Sequence, residues 1–321
     1  MGTEIYWHGI LDYSSRENRR IGEIREIHRQ FEAISELAGS EYEAKIGIVE
    51  TYDNKFDAEL DVWHGSIENT SRIGLYTASQ MTHTPVDFVY LREDTTVEKL
   101  KRYQVLFYPH ALILDEKQVA ILEEYVSQGG VLVFGCRAGM KNENGRCVQK
   151  NLPGLARKLA GAEVAEFTLV AEEEAPVYAD WDGEMLESAV FNDELEADEG
   201  TKVLASYANS YYKGVPALTE HPLGKGKVLY FGGAFTEKTA ETFFRKLGVM
   251  SPYENIVRLP KECEIAVRVK DGMEYFFVLN YSKEEQTIIL NEKMNSLYTG
   301  DLLCGEVKLA GYETLVLRKA D

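Results

Sequence analysis

Short, mostly apolar segments that alternate with helical segments constrain the fold of this chain more than any other feature. Such segments lie at 45–50, 85–90, 105–108 and 131–134. Strands without a regular polar face are buried on both sides, and helices between them allow the right-handed crossovers of a parallel sheet. The pattern predicts an α/β fold with a doubly wound, mainly parallel, flavodoxin-like sheet over residues 44–252.

Ahead of this region the sequence predicts a single amphipathic helix over about 14–38. Ser14 precedes Glu17 by three residues, which is the spacing of a capping box, and Gly39 marks the end of the helix. Between them, apolar residues recur every three or four positions, as on one face of a helix. They are Ile21, Ile24, Ile27, Phe31, Ile34 and Leu37.

After Pro252 the pattern changes to alternation, which is typical of strands with one exposed face. Asp271-Gly272 separates two such segments, 264–269 and 275–279, and predicts a type I′ hairpin. Further short strands are predicted at 286–290, 306–309 and 313–318. The expected parts are a leading segment over 1–43, the α/β domain over 44–252 and a small antiparallel β-sandwich over 253–321.

The charge balance is acidic, with 35 Lys and Arg residues against 53 Asp and Glu residues and a net charge of −18. Such a surface repels phosphates, which disfavours nucleic acid and anionic membranes as partners. No apolar run approaches the roughly 20 residues of a membrane helix, and the first residues lack the features of a secretory signal. The 4 cysteines are far apart, as expected for reduced thiols, so we expect a cytoplasmic location.

One candidate nucleophile is Cys136, in the segment Gly135-Cys136-Arg137-Ala138-Gly139. A thiol on a tight turn near a helix N-terminus has a lowered pKa. Together with His221, in Glu220-His221-Pro222, it resembles the Cys and His parts of class I glutamine amidotransferases. The usual Gly two residues before the Cys is Phe134 here, and the Glu precedes the His. A buried core cysteine and a loop histidine are the alternative interpretation.

Other patterns predict no chemistry. Gly224-Lys225-Gly226-Lys227 lacks the spacing and the Ser or Thr of a phosphate loop, so a hairpin turn is expected. Asn291-Glu292 has the form of a glycosidase acid, but it falls in the β region without an identifiable partner carboxylate. The histidines show no HExxH or similar spacing, so neither a metal site nor a cofactor site is predicted.

The first residues hold a cluster of the kind that recognises sugars. Glu4, Trp7 and His8 lie close together ahead of the predicted helix. An aromatic ring can stack on a pyranose face while polar groups bind its hydroxyls. Simple packing of an aromatic chain start is the alternative.

Several segments, taken in order over nearly the whole chain, resemble the C-terminal part of glycoside hydrolase family 42, the bacterial β-galactosidases. The segments are Glu4…Trp7-His8-Gly9-Ile10-Leu11-Asp12, Glu17-Asn18-Arg19-Arg20, Lys45-Ile46-Gly47-Ile48, Tyr125-Val126-Ser127-Gln128-Gly129-Gly130-Val131-Leu132-Val133, Asn142-Glu143-Asn144, Gly224-Lys225-Gly226-Lys227 and Gly300-Asp301-Leu302-Leu303. The resemblance rests on their order and spacing.

In that family a catalytic TIM barrel precedes an amidotransferase-like trimerisation domain and a small β domain. The resemblance implies that the last two are present here and that residues 1–43 are the end of the barrel and a linker helix. Glu4 and His8 match the pair that holds the galactose hydroxyls, with Trp7 beside them. The catalytic Asn-Glu acid, the nucleophilic Glu and the zinc-binding cysteines of some members have no counterpart.

We therefore expect the non-catalytic portion of a β-galactosidase that hydrolyses terminal β-D-galactosides with retention, without a catalytic residue, metal or cofactor of its own. The resemblance implies a bacterial cytoplasmic homo-oligomer, a trimer, and allows a separate barrel chain as a partner. Two alternatives stay open. One is an amidotransferase-like or peptidase-like thiol enzyme using Cys136 and His221, and the other is a non-catalytic sugar-binding module.

Overall fold

The computed structural model describes residues 9–12, 14–61, 63 and 66–320. The described residues divide into two compact units. One unit spans Ala44–Pro252, and the other joins the described residues before Ala44 with those from Tyr253 onward.

In chain order the helices are α1 (Arg19–Ala33), α2 (Tyr52–Leu60), α3 (Ile67–Met81), α4 (Val97–Leu100), α5 (Glu116–Ser127), α6 (Arg157–Ala160) and α7 (Glu237–Lys246). The strands are β1 (Glu41–Glu43), β2 (Ile46–Glu50), β3 (Val86–Tyr90), β4 (Val105–Tyr108), β5 (Val131–Phe134), β6 (Ala162–Leu169), β7 (Tyr178–Trp181), β8 (Glu184–Ala189), β9 (Phe191–Ala197), β10 (Lys202–Tyr207), β11 (Pro216–Leu223), β12 (Gly226–Phe231), β13 (Ala234–Phe235), β14 (Val257–Arg258), β15 (Cys263–Lys270), β16 (Met273–Asn280), β17 (Gln286–Ser296), β18 (Leu302–Leu309) and β19 (Thr314–Lys319).

The sheet of the larger unit is mixed. Among the described residues its order is β13-β8-β7-β10-β11-β12-β5-β4-β2-β3. The last five strands of that order are parallel, as predicted. The other five pair antiparallel, so the expectation of a mainly parallel sheet is correct for only half of it. The two remaining strands, β6 and β9, form a separate antiparallel pair.

The sequence analysis missed most of the antiparallel half. The acidic stretch 172–200, whose charge is typical of surface loops, contains β7, β8 and β9. Trp181 and Leu186 are buried on β7 and β8, while their acidic neighbours Asp180, Asp182 and Glu187 lie at more exposed positions. The charge of this stretch hid the alternation that makes it strand.

Helices cover both faces of the parallel strands. On one face, Leu75 of α3 and Phe243 of α7 share a buried cluster with Phe107. On the other, Leu122 of α5 and Leu159 of α6 share a cluster with residues of the same strands. Successive strand residues therefore belong to opposite clusters, which explains why these segments lack a polar face.

Two helices differ from the sequence prediction. Helix α2 was not predicted. Helix α1 begins later than Ser14, because the side chain of Asn18 accepts the backbone N–H of Arg20 at 2.9 Å and caps it. Of the predicted apolar stripe, Leu37 is buried after the end of α1, whereas 62% of Phe31 on α1 is accessible.

The smaller unit contains the antiparallel β domain that the alternation predicted. Among the described residues, seven strands form one sheet in the order β1-β15-β16-β19-β17-β14, with β18 beside β17. Its strands form one hydrogen-bonded sheet, and a register shift between Leu290 and Met294 interrupts β17. The hairpin at Asp271-Gly272 has positive φ angles of 51° and 78°, as a type I′ turn requires.

Candidate functional site

The parallel half of the large sheet has a topological switch point between β2 and β4. The chain leaves β2 for β3 on one side and leaves β4 for β5 on the other. In open α/β sheets, the carboxyl ends of strands at such a point frame a crevice. Here α2 follows β2, His110 follows β4, and Arg137 follows β5.

Asn54 ties α2 to the loop after β4. The two N–H groups of its side-chain amide are shared among three acceptors, the Thr51 hydroxyl at 2.8 Å, the Tyr108 hydroxyl at 3.0 Å and the Ile113 carbonyl at 3.0 Å. Its Oδ1 accepts the backbone N–H of Ile113 at 2.7 Å. The side chain is fully used, so the start of α2 is fixed beside the crevice.

Arg137 occupies a strained turn at the end of β5. It has a φ of +62°, which is uncommon for a residue with a side chain. Gly135 and Gly139 flank it, and a Cβ at these two positions would lie 2.3 Å from the Pro109 oxygen and 2.0 Å from the Pro153 oxygen. A glycine two residues on either side of a strained residue is the arrangement of a nucleophile elbow. The elbow residue here is Arg137 and not Cys136.

Asp193 is hydrogen-bonded to the backbone of the elbow residue. Its Oδ2 accepts the backbone N–H of Arg137 at 2.7 Å and the hydroxyl of Tyr230 at 2.8 Å. Its Oδ1 has no hydrogen-bond partner in the described structure. Burial raises the pKa of Asp193 to about 6, against the lowering effect of these two hydrogen bonds.

This raised pKa predicts a pH-dependent loss of stability. The folded-state pKa of about 6 lies above the ordinary 3.8, so ionisation of Asp193 disfavours the folded state. The contribution of Asp193 to the free energy of unfolding is fully present below pH 3.8. It is lost as the pH rises, until the residue is ionised in both the folded and the unfolded state above about pH 6. The loss amounts to about 3 kcal/mol.

Urea unfolding of the wild type and of Asp193→Asn checks this, measured at fixed protein concentration from about pH 3.5 to about pH 7.5, a range that includes both pKa values. The free-energy difference between the two proteins should shift by about 3 kcal/mol in favour of the variant as the pH rises. A difference that is constant across this range would contradict the assignment.

His110 is buried beside the elbow without a partner. It is 6% exposed, and neither ring nitrogen has a hydrogen bond within the described residues. Burial, reinforced by the nearby Arg137 guanidinium, lowers the pKa of His110 to about 4. The imidazole is therefore neutral near pH 7 and offers one donor and one acceptor.

Two ion pairs near this histidine join α2 and its C-cap residue to the segment that follows β5. Asp61 accepts from Nη1 of Arg137 at 2.9 Å, with both side chains nearly buried. Asp57 accepts from Nζ of Lys141 at 2.7 Å through one oxygen and at 2.8 Å through the other. Both carboxylates are thereby committed to neighbouring cations and do not form a free acid–base pair.

A cavity of about 280 Å³ opens at the switch point. Its lining includes Asp61, Glu68, Arg72, His110 and Arg137. Of these, Arg72 donates from Nε to Glu68 at 2.9 Å. We take this cavity, which we call the elbow cavity, as the candidate site. Its groups can bind a small molecule through hydrogen bonds, and the elbow position carries a guanidinium that cannot act as a nucleophile.

The structure does not bring Cys136 and His221 together. His221 lies on β11 opposite Val228, which in turn lies opposite Leu132 on β5. Cys136 is four residues beyond Leu132, about 13 Å further along the strand direction. The nitrogen Nδ1 of His221 is 2.8 Å from the Thr201 hydroxyl oxygen.

The environment of Cys136 also opposes a reactive thiol. The side chain is fully buried in an apolar cluster that includes Ile67 and Leu112. Burial raises its pKa well above the ordinary value, and the charge of Asp193 adds to this. A nucleophilic cysteine needs the opposite shift. The sequence pattern placed the nucleophile one residue before the true elbow.

Thiol labelling of the native protein checks this assignment. Cys147 and Cys304 are exposed, whereas Cys136 and Cys263 are buried. We expect a disulfide reagent to modify two cysteines rapidly and the buried pair about 100-fold more slowly or only after denaturation. Cys147→Ser should remove half of the rapid phase, and Cys136→Ser none of it. Rapid modification that disappears in Cys136→Ser would show a reactive thiol.

The other sequence candidates have structural roles or lie outside the description. Gly224-Lys225-Gly226-Lys227 contains the turn between β11 and β12, as predicted. Asn291 donates to the carbonyls of Glu254 and Asn255, and Glu292 pairs with Lys319 at 3.2 Å. Glu4, Trp7 and His8 lie outside the described residues.

The described part of the chain has neither a cluster of metal-binding side chains nor a membrane-spanning helix. No group of three or more His, Cys, Asp and Glu side chains there is placed to hold a metal ion. None of its helices has the length and apolar character needed to cross a membrane.

Family models identify the protein family to which this chain belongs. Residues 69–250 match the model described as the β-galactosidase trimerisation domain, and residues 263–319 match that of the β-galactosidase C-terminal domain. This chain belongs to glycoside hydrolase family 42. It therefore carries the family's trimerisation and C-terminal domains, as the order of its sequence segments predicted.

Individual relatives match over the whole chain but only part of their own length. β-Galactosidase BgaA of Planococcus sp. (strain 'SOS Orange') is 26% identical over 98% of this chain and 47% of the relative. β-Galactosidase Pbg of Clostridium perfringens is 25% identical over 99% of this chain and 47% of the relative. The family 42 chain thus spans about half the length of these curated relatives.

Solved structures show the same fold. The β-galactosidase from Bacillus circulans sp. alkalophilus matches with a TM-score of 0.84 and 23% identity, over 97% of this chain and 47% of that one. Gan42B, a GH42 β-galactosidase, matches with a TM-score of 0.86 and 22% identity, over 100% of this chain and 47% of that one. At these identities the comparison establishes the fold alone.

Proposed function

We propose that this family 42 chain is the assembly portion of a β-galactosidase that hydrolyses terminal β-D-galactosides with retention. In this role it forms a homotrimer and has no hydrolytic activity of its own. The observation that carries the proposal is the match of residues 69–250 to a trimerisation domain. The family's barrel would precede residue 44 in the complete enzyme or come from a second chain, with 1–43 as its last segment and linker.

An exposed apolar patch supports self-association. Tyr52, Phe56 and Leu60 recur every four residues along the outer face of α2 and are 53%, 57% and 81% exposed. The ring of Tyr52 stacks on Tyr90 of the edge strand β3 at 5.3 Å. We call these four residues the α2 patch. Contiguous apolar surface at a sheet edge is a common sign of a protein interface.

A second copy of this chain is the occupant that we propose for the α2 patch. The adjoining residues 73–90 fall inside the segment matched by the trimerisation model, and Ile73, Tyr76 and Met81 of α3 are also exposed there. Trimers with cyclic symmetry join each patch to a different surface of the next copy. The patch is therefore expected to lie in every interface of the ring.

Phe56→Glu should break this trimer. A charge placed in a closed apolar interface must be desolvated without a partner, so we expect the dissociation constant of the trimer to rise about 100-fold or more. Light scattering over a dilution series should show monomers for the variant where the wild type remains associated. Met185→Glu is the matched control, because Met185 is 54% exposed on β8 in the antiparallel half of the sheet. Unchanged association of Phe56→Glu would refute the α2 patch as the interface.

The absence of hydrolysis is proposed on chemical grounds. A retaining glycosidase needs two carboxyl groups about 5–5.5 Å apart, one protonated and one nucleophilic. In the elbow cavity, Asp61 is bound to Arg137 and Glu68 to Arg72. Purified protein should not hydrolyse an aryl β-galactoside. Turnover that is lost on mutation of an acidic residue of this chain would overturn the proposal.

The exposed apolar residues of α1 are suited to a contact with another domain. No residue of α1 is buried, and 48% of Ile27 and 62% of Phe31 are accessible. An amphipathic helix normally gains its stability by burying such a stripe. The barrel of the complete enzyme is the partner that we propose for it, and Glu4, Trp7 and His8 would complete the galactoside site only in that context.

A further inference from the structure

We propose that the elbow cavity binds a neutral, hydroxyl-rich molecule of about monosaccharide size, without transforming it. Nothing in the assembly role requires such a site. The argument rests on where the cavity lies, on the polar groups without partners in its walls, and on its balance of charge.

The position is one where α/β sheets bind ligands. The cavity lies at the carboxyl ends of β2, β4 and β5, at the switch point of the parallel strands. Its volume of about 280 Å³ is close to the lower limit of typical ligand pockets. That size suits a single sugar ring or a smaller polyol.

Two wall residues have polar atoms that nothing in the described structure satisfies. Both nitrogens of His110 and Nε of Arg137 have no hydrogen-bond partner. The two residues are 6% and 5% exposed, so bulk water does not compensate them. Buried polar groups of this kind are normally satisfied by a partner, and a molecule in the cavity that they line is the available one.

The charged residues that line the elbow cavity disfavour an ionic ligand. Lys55, Arg72 and Arg137 are opposed by Glu59, Asp61 and Glu68. Two of the three cations are already in ion pairs with two of these carboxylates. An anionic ligand would meet the carboxylates and a cationic ligand would meet the guanidinium groups, so a neutral ligand is favoured.

The vacant hydrogen-bonding groups define the chemistry of that ligand. The neutral imidazole has one donor and one acceptor, and Nε of Arg137 is a donor. A hydroxyl both donates and accepts, so adjacent hydroxyls can match this set without adding charge. The elbow position has a guanidinium in place of a nucleophile, which explains why binding is expected without a covalent step.

Titration calorimetry on the full chain tests the proposal with D-galactose, D-glucose and inorganic phosphate as probes. We expect saturable binding of at least one sugar and none of phosphate. Flat titrations with both sugars up to tens of millimolar would overturn the proposal. Binding of phosphate alone would also overturn it, because the site would then select an anion.

Three variants locate the site. His110→Phe replaces the imidazole by a planar ring without nitrogens, and should weaken sugar binding about tenfold or more. Ala58→Phe places a ring in the cavity that Ala58 lines and should abolish binding without altering any polar group. His28→Phe, on the exposed face of α1, should bind as the wild type does. Sugar binding that survives unchanged in both cavity variants would place it elsewhere and refute the proposal.

Loss of the trimer in Phe56→Glu does not bear on this result, since the α2 patch and the cavity involve different residues of α2. The two proposals can therefore fail separately. A trimer that binds neither sugar refutes only the cavity proposal, and a monomer that binds sugar refutes only the assembly role.

Discussion

Phe243→Ala should lower the free energy of unfolding by about 3–5 kcal/mol. Phe243 is fully buried on α7, where its ring centroid lies 5.3 Å from that of Phe235 and 5.6 Å from that of Phe231. The ring centroid of Trp181, on β7 in the antiparallel half of the sheet, lies 5.2 Å from that of Phe243 in the same cluster. The side chain thus joins the two halves of the sheet to one helix, and its removal leaves a cavity that rigid rings cannot fill.

Chemical denaturation at fixed protein concentration measures this loss. Phe167→Ala is the matched control, because Phe167 is a phenylalanine of the same unit with 49% of its surface exposed. It should lose less than about 1 kcal/mol. Equal losses for the two variants would show that the aromatic cluster is not the centre of the fold.

Asp61→Ala should destabilise the protein by about 3–5 kcal/mol, because it leaves the guanidinium of Arg137 buried without its counter-charge. The side chains of Arg137 and Asp61 are 6% and 11% exposed and 2.9 Å apart. The double variant Asp61→Ala with Arg137→Met should recover much of the loss, since it removes both charges and keeps an unbranched side chain at the elbow.

An exposed ion pair provides the control for that comparison. Lys101 and Glu98 lie 2.6 Å apart with 39% and 74% of their side chains exposed. Glu98→Ala should change the stability by less than about 1 kcal/mol. If Asp61→Ala is equally mild, or the double variant is worse than the single one, then the buried pair does not stabilise the elbow as described.

The sequence predicted the parts of the fold in which one physical signal dominates. Segments such as 105–108 and 131–134 are buried on both faces, so their apolar character alone identifies them as parallel strands. Asp271-Gly272 identifies its hairpin because few other residues adopt two successive positive φ angles. In these places local sequence and tertiary environment agree.

The misses arise where two signals compete. Helix α2 is short, and its stripe of Tyr52, Phe56 and Leu60 faces outward, so its pattern does not resemble that of a helix packed on a sheet. Strands β7 and β8, within 172–200, bear charges on their exposed positions, and such charges resemble those of a surface loop. Ser14 has the spacing of a cap, but the side chain of Asn18 lies closer to the first apolar turn and caps α1.

The candidate site was only partly accessible to sequence reasoning. The segment Gly135-Cys136-Arg137-Ala138-Gly139 drew attention to the right turn, but chemical expectation favoured the cysteine over the residue midway between the glycines. His110 lies two residues after the end of an apolar strand at the switch point, and that position was the available signal for it. The pairing of Asp61 with Arg137 joins residues far apart in the chain and required the structure.

The mass of the wild-type protein in solution tests the central claim most directly. Light scattering coupled to size exclusion, at micromolar concentration, should give three times the 36.3 kDa of one chain. A stable mass of one chain under the same conditions would contradict an assembly role for this protein.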